Sequence, residues 1–273
     1  MDTVLIRGGG EMATGVAATL YRAGMRVVVT EVAQPRAIRR TVAYAEAVPR
    51  GRVRVESIEA RCVTADEDGD CWREGVIPVV IDPGASIRQS LEIDVLVDAL
   101  VSKTNAGGTG TDWAPLVIGL GPGFVAGQDC HLVIETQRGH FLGRVYDRGS
   151  AEPDTGVPGE LGGHSARRVL RSPAAGLLAT HREIGATITE GEVVASVDGA
   201  DLKAPLAGVL RGLIADGTAV AAGDKVGDID PRGRPEYCHF ISDKARHIGQ
   251  SVLAAILWHR AGRPAPLPVP PRV

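Results

Sequence analysis

The tract Gly8-Gly9-Gly10-Glu11-Met12-Ala13-Thr14-Gly15 is the first place in the chain where residue type and spacing point to a ligand. Gly8, Gly10 and Ala13 stand at the G-x-G-x-x-[GA] spacing of a dinucleotide fingerprint. In that pattern the first glycine makes a tight turn, the second lets the backbone approach a diphosphate, and the alanine permits close helix packing. The backbone of residues 8–15 would then grip a diphosphate at a helix N-terminus. Glu31, 21 residues beyond Gly10, stands where a carboxylate accepts hydrogen bonds from ribose hydroxyls. Arg36, Arg39 and Arg40 follow closely and suit an extra phosphate or an anionic pterin, with Arg36 completing the expected binding set. The bland alternatives are a glycine turn with no ligand and the solvated face of a helix over about 34–47.

Acid-base chemistry has five candidates: Lys103, Asn105, Glu135, Arg138 and His140. Lys103 and Asn105 open a glycine- and threonine-rich loop, NAGGTGTD over 105–112, that lacks the Lys-Ser/Thr ending of a nucleoside-triphosphate loop. A snorkelling lysine and a loop-capping amide are the structural readings of that pair. Glu135, Arg138 and His140 sit around one bend between two apolar runs, a carboxylate, a guanidinium and an imidazole within six residues. A solvated turn with local ion pairs is the competing account. Cys62, Cys71, Cys130 and Cys238 form no CxxC pair, so no metal site is expected. The adjacent pairs Cys130-His131 and Cys238-His239 would matter if an imidazolium lowered a thiol pKa, but a buried small side chain is the favoured reading.

These residues need elements to position them. Apolar residues 4–6, a helical pattern over 11–23 closed by Gly24, and the strand 27–31 make one strand-helix-strand unit. Further strands at 52–55, 77–81, 95–99 and 116–120 predict an α/β fold, a Rossmann-like, doubly wound, mostly parallel sheet. Ligands of such sheets lie beyond the carboxyl ends of the strands, at residues 8–10, Glu31, 82–83 and 98–105. In the second half, a shift of 32 residues aligns Gly176 with Gly208, Gly185 with Gly217, Gly191 with Gly223 and Asp198 with Asp230. Two such halves describe a small pseudo-twofold β structure. A helix over 242–260, capped by Ser242, carries Ala245, Ile248, Val252 and Ile256 on one side and is expected to return to the first domain. The resulting division is 1–165, 166–233, the helix 234–262 and a disordered proline-rich tail 263–273.

Composition removes several classes. With 30 basic and 33 acidic residues the formal net charge is -3, and 4% aromatics leave few stacking platforms, so nucleic acid is not an expected partner. No leader pattern precedes residue 4 and no apolar run reaches the roughly 20 residues of a membrane span, so a cytoplasmic protein with no membrane partner is expected. The 35 glycines, about 13% of the chain against a usual ~7%, are not periodic and put the emphasis on turns and close contacts.

Two resemblances add to this. Residues 172–230, with Lys203-Ala204-Pro205-Leu206-Ala207-Gly208, resemble biotinyl and lipoyl carrier domains, whose fold is a barrel-sandwich hybrid. The carrier lysine on a protruding hairpin is missing, since the tip is Asp198-Gly199-Ala200-Asp201, so neither biotin nor lipoate is expected. Strings such as Ile6-Arg7-Gly8-Gly9-Gly10, Arg39-Arg40-Thr41-Val42, 114–124 and Gly227-Asp228-Ile229-Asp230-Pro231-Arg232 resemble the YqeB proteins of the selenium-dependent molybdenum hydroxylase system. That resemblance implies a maturation or cofactor-handling protein, with a molybdenum hydroxylase or its maturation proteins as partners. The ligand would be a nucleotide or a molybdopterin dinucleotide. An NAD(P)-dependent oxidoreductase and a non-catalytic scaffold that docks onto the hydroxylase are the alternatives.

Overall fold

A computed structural model describes residues 2–64, 67–157 and 159–263, which divide into two units. The first comprises Met1–Pro35, Tyr44–Asp154 and Ile241–Val273; the second comprises Arg36–Ala43 and Thr155–Phe240. The proline-rich tail, beyond Arg263, lies outside the described residues.

In the first unit β1 (Thr3–Arg7) is buried along its whole length, and α1 (Glu11–Arg22) follows it directly. Ala13, Val16, Ala17 and Leu20 form the buried stripe of α1, and Gly24 at φ 84° ends it. Then come β2 (Arg26–Glu31), the single turn α2 (Ala47–Arg50), β3 (Arg52–Val55), β4 (Ile58–Val63), α3 (Asp68–Glu74) and β5 (Ile77–Ile81). β6 (Val95–Asp98), β7 (Leu116–Leu120), β8 (Leu132–Ile134) and β9 (Val145–Tyr146) complete one nine-stranded sheet, ordered β3-β4-β5-β2-β1-β6-β7-β8-β9.

The doubly wound, Rossmann-like expectation is corrected here. The sheet is mixed, because β3 and β9 run antiparallel to their neighbours at its two edges. No α-helix lies in the connections from β5 to β6, β6 to β7 or β7 to β8. α1 and the last helix, α4 (Asp243–Arg260), pack on each other and against β1, β2, β7 and β8. The opposite face is closed by other means: short α3, a 3-10 turn over Ser86–Gln89, and loop residues Phe124, Ala126 and Ala151 against Leu5, Val28, Leu96 and Val117. Apolar strands can be covered by loops as well as by helices, so their hydrophobicity did not disclose what covers them.

α4 is capped by Ser242, whose hydroxyl accepts the Ala245 N–H at 3.2 Å. It crosses α1 where both helices carry glycine. A Cβ on Gly15 would fall 2.5 Å from the Ala245 carbonyl oxygen, and one on Gly249 would fall 2.6 Å from that of Gly15. The helix expected over about 34–47 is absent, replaced by 3-10 turns at Arg40–Val42 and Tyr44–Glu46.

The second unit holds β10 (Val169–Arg171), β11 (Gly176–Thr180), β12 (Thr187–Ile188), β13 (Val193–Val197), β14 (Ala200–Lys203), β15 (Gly208–Leu213), β16 (Ala219–Val220) and β17 (Lys225–Asp230). They form two four-stranded sheets, β10-β17-β15-β12 and β14-β13-β11-β16, antiparallel throughout. The 32-residue shift carries β11 onto β15, β12 onto β16 and β13 onto β17, so each sheet joins strands from both halves of the duplication. One core between the sheets includes Leu178, Val194, Leu210, Val226 and Ile229. Among the described residues no helix is long and apolar enough to cross a membrane.

Candidate functional site

The carboxyl ends of the parallel strands bring most of the first unit's candidate residues to one edge. Gly8 turns the chain out of β1 at φ 95°, its N–H bonded to the Thr30 carbonyl at 2.8 Å. Gly9 then donates its N–H to Glu31 Oε1 at 2.9 Å, while Glu31 Oε2 accepts the Val32 N–H at 2.7 Å. The Gly9 carbonyl accepts the Ala45 N–H at 2.9 Å and the Thr14 hydroxyl at 3.3 Å. Thr14 Oγ1 in turn accepts the Tyr44 N–H at 2.9 Å. A Cβ on Gly9 would lie 2.8 Å from the Ala45 nitrogen, so glycine is needed there for the protein's own segment 44–45.

Several residues expected to meet a ligand have partners within the protein. Glu31 is engaged by two backbone amides, one on each oxygen, which fix its carboxylate at the end of β2. Thr14 is fully buried under residue 44, and Gly15 serves the helix crossing. Arg36 pairs with Asp224 at 2.8 Å in the second unit, where Arg39 donates to the Tyr237 carbonyl at 2.9 Å and Arg40 to that of Leu213 at 2.8 Å. Gly10, Glu11 and Met12 stay partly exposed at the start of α1, Ala13 is buried, and a Cβ on Gly10 would meet nothing within 4 Å.

Strand order places the switch point between β1 and β6, the usual ligand crevice of a parallel sheet. Side chains fill it. Arg7 and Asp98 continue the rows of Leu5 and Leu96 and pair at 3.2 Å, both buried. Arg7 also donates to the Gly107 carbonyl, the Thr109 hydroxyl and the Pro83 carbonyl, at 3.1, 3.0 and 3.0 Å. Thr109 Oγ1 donates to Asp98 Oδ2 at 2.6 Å. Asn105 shapes this cover from both ends of its amide, receiving the Thr109 N–H at 3.0 Å and donating to the Thr109 carbonyl and to Asp129 at 2.8 and 3.1 Å. Val101, two residues before the exposed Lys103, has φ 54°, a strained conformation for a β-branched residue. Lys103 pairs with Asp154 at 2.8 Å.

The trio at the 135–140 bend does not converge. Glu135 is buried and accepts the N–H groups of Gln137 and Glu152, both at 2.7 Å. Arg138 grips both oxygens of Asp243 in the first turn of α4, at 2.6 and 2.7 Å. His140 is exposed, its ring edge-on to Phe141. Glu135 ties its own loop together, and Arg138 joins the bend to the start of α4.

What this edge leaves open is a cavity of about 780 Å³ beyond β4 and β5, within the range that small-molecule sites occupy. Cys62, Val63, Val80 and Ile81 from the strand ends form part of its wall; Thr64, Glu67, Asp82, Pro83, Ser86, Ile87 and Ser90 form the rest. Asp82-Pro83 was legible as a strand end, whereas Cys62, Ser86 and Ser90 carry no spacing that separates them from ordinary loop residues. Burial raises the Cys62 thiol, so it lines the wall as a neutral group. Cys130 is pushed up to about 12 by burial and donates to the Leu132 carbonyl at 3.2 Å, and burial likewise raises Cys238. No group of three or more His, Cys, Asp or Glu side chains that could hold a metal ion occurs among the described residues.

Fold and site thus describe a mixed α/β unit with an open cavity at the carboxyl edge of its sheet, and a duplicated β unit. The chain is similar to the uncharacterized protein YqeB of Escherichia coli (strain K12), at 49% identity over 255 residues. The match covers 93% of this chain and 47% of that protein, so the chain spans about half the length of the curated relative it matches. No protein-family model matches the chain. Among solved structures it is similar to a succinylglutamate desuccinylase from Silicibacter sp. TM1040, at 16% identity with 84% of each chain covered and a TM-score of 0.26. It is also similar to an aspartoacylase family protein from Mesorhizobium loti, at 11% identity, 85% and 86% coverage and a TM-score of 0.28. The product-bound ectoine utilization protein EutE (DoeB) of Ruegeria pomeroyi aligns at 11% identity, 84% and 85% coverage and a TM-score of 0.25.

Proposed function

We propose that the chain is a maturation or cofactor-handling protein for selenium-dependent molybdenum hydroxylases. It holds a nucleotide or a molybdopterin dinucleotide at the carboxyl edge of the nine-stranded sheet. The observation that carries this reading is the 780 Å³ cavity at the ends of β4 and β5, two strands away from the start of α1. Two strand spacings are about 10 Å, a distance that a dinucleotide spans. In this reading the heterocycle lies in the cavity and the phosphates lie outside it, toward the start of α1, where residues 10–12 are partly exposed. Exposed Ile81 and Val32, at the ends of adjacent strands, offer apolar surface between the two. The hydroxylase setting is what the resemblance of strings such as Ile6-Arg7-Gly8-Gly9-Gly10 and Gly227-Asp228-Ile229-Asp230-Pro231-Arg232 to the YqeB proteins implies.

Isothermal titration of the purified chain with CTP, NAD and a molybdopterin dinucleotide tests the proposal. Saturable binding of the pterin dinucleotide or of CTP is expected. Absence of binding by all three, with circular dichroism confirming the fold, overturns it.

A further inference from the structure

The cavity lining has one carboxylate held rigidly with an oxygen to spare. Asp82 follows β5 directly, and its N–H bonds to the Glu31 carbonyl at 2.9 Å, which ties it to the end of β2. Its Oδ2 accepts the Ile87 N–H at 2.8 Å, and its carbonyl accepts the Ala85 N–H at 3.0 Å. Ala85 is buried in the left-handed region at φ 52°, a conformation that costs an alanine energy and persists only where the surroundings fix it. The turn over 82–87 is therefore over-determined, and Asp82 Oδ1 has no partner among the described residues. Glu67, the other acid of the lining, has one oxygen engaged by the N–H and hydroxyl of Thr64, at 2.9 and 2.7 Å. Among the described residues no Lys, Arg or His lines the cavity, which disfavours a phosphate inside it. Val63, Val80, Ile81, Pro83 and Ile87 give it apolar walls, and Ser86 and Ser90 add hydroxyls.

A fixed carboxylate between apolar walls fits a planar ring that donates hydrogen bonds from one edge. We propose that the cavity selects a heterocycle with adjacent amino and ring N–H donors, the 2-amino-4-oxo edge shared by guanine and oxidised pterins, and that Asp82 receives that edge. This rests on the reading that the carboxyl edge holds a nucleotide- or pterin-type ligand, and it names the end of the ligand that enters first. Adenine and cytosine present an acceptor beside their amino group, and hypoxanthine lacks the amino group, so each loses at least one of the two bonds.

Titration of the full chain with guanosine, 2-amino-4-oxopteridine, inosine, adenosine and cytidine tests the assignment. Guanosine or the pteridine is expected to bind at least about tenfold more tightly than inosine, the factor that one hydrogen bond to a charged acceptor supplies. Asp82→Asn keeps an oxygen for the Ile87 N–H but replaces the free acceptor by a donor, and should abolish that preference. Equal affinity for guanosine and inosine in the wild-type chain overturns the assignment, and this comparison needs no variant to fold. If the dinucleotide or CTP binds while none of the small heterocycles does, or while Asp82→Asn leaves discrimination unchanged, the assignment fails and the broader ligand reading stands. If nothing binds, both fail.

Discussion

Glu31 illustrates how one side chain can satisfy a ligand motif and a structural need at the same position. Its carboxylate accepts the amides of buried Gly9 and exposed Val32, and only the first would be left without a partner. Glu31→Ala should therefore cost about 1 kcal/mol, the lower end of the penalty for leaving a buried donor unpaired, and denaturant titration measures it. A ribose-binding role alone would leave stability unchanged. His131 makes a second prediction. Its Nδ1 accepts the Val117 N–H at 2.9 Å, so the neutral ring belongs to the fold. Burial, then the charge of His259, lowers its pKa below the ordinary 6.5. The unfolded chain thus binds more protons between the folded pKa and 6.5, and stability is lost as pH falls through that window. His131→Gln should flatten the stability profile there, as thermal melts at stepped pH would record.

Among the elements, the α1–α4 crossing depends on two glycines that sequence patterns place in different roles. Gly15 closed a candidate binding tract and Gly249 interrupts the apolar side of α4, and here Gly15 admits the Ala245 carbonyl while Gly249 admits that of Gly15. Gly249→Ala gains helix propensity of about 1 kcal/mol. Its new methyl would nevertheless sit 2.5 Å from Thr19 Oγ1 and 2.6 Å from the Gly15 carbonyl oxygen. Because backbone cannot yield cheaply, a net loss of about 1–2 kcal/mol is expected, seen as a lower Tm. The duplicated β unit makes a parallel case. Gly176 and Gly208, aligned by the 32-residue shift, each pack on an aspartate that the same shift aligns: Asp198 for the first and Asp230 for the second. The two sites differ: a Cβ on Gly176 would meet the Asp198 side chain, whereas one on Gly208 would fall 2.4 Å from the Asp230 carbonyl oxygen. Gly208→Ala should therefore destabilise the unit markedly in a denaturation series.

Across both units, arginine-aspartate and arginine-glutamate contacts hold distant pieces of each unit together. In the first, Glu56, at φ 54°, bonds Arg22 of α1, Arg246 of α4 and the Ile241 N–H. Burial pushes its carboxyl up, but the hydrogen bonds from Arg22 and Ile241 and the charge of Arg246 bring it below the usual range. In the second, burial likewise raises Asp230 and Arg232 outweighs it, so the net shift is again downward. Groups depressed in the folded state stabilise above their unfolded pKa and cease to do so as pH falls through the folded one. Loss of stability below about pH 4 is expected, and Glu56→Gln should reduce that acid sensitivity in melts of the full chain.

Local pattern by itself determined a good deal. The central strands, α1, α4 with its Ser242 cap and the 32-residue duplication all follow from periodicities that operate within a few residues of chain. The presence of several candidate groups along the carboxyl edge was also legible, because strand ends can be counted. What those groups touch was not. That Glu31 serves Gly9, that Arg7 and Asp98 fill the crevice between β1 and β6, and that the open cavity lies at β4 and β5 are contacts between residues 22 to 91 positions apart, or between loops of no regular pattern. The same applies to the sheet's second face, covered by loops where helices were expected. Hydrophobicity states that a surface must be covered and spacing states that an amide must be satisfied; only the assembled chain decides which group does it.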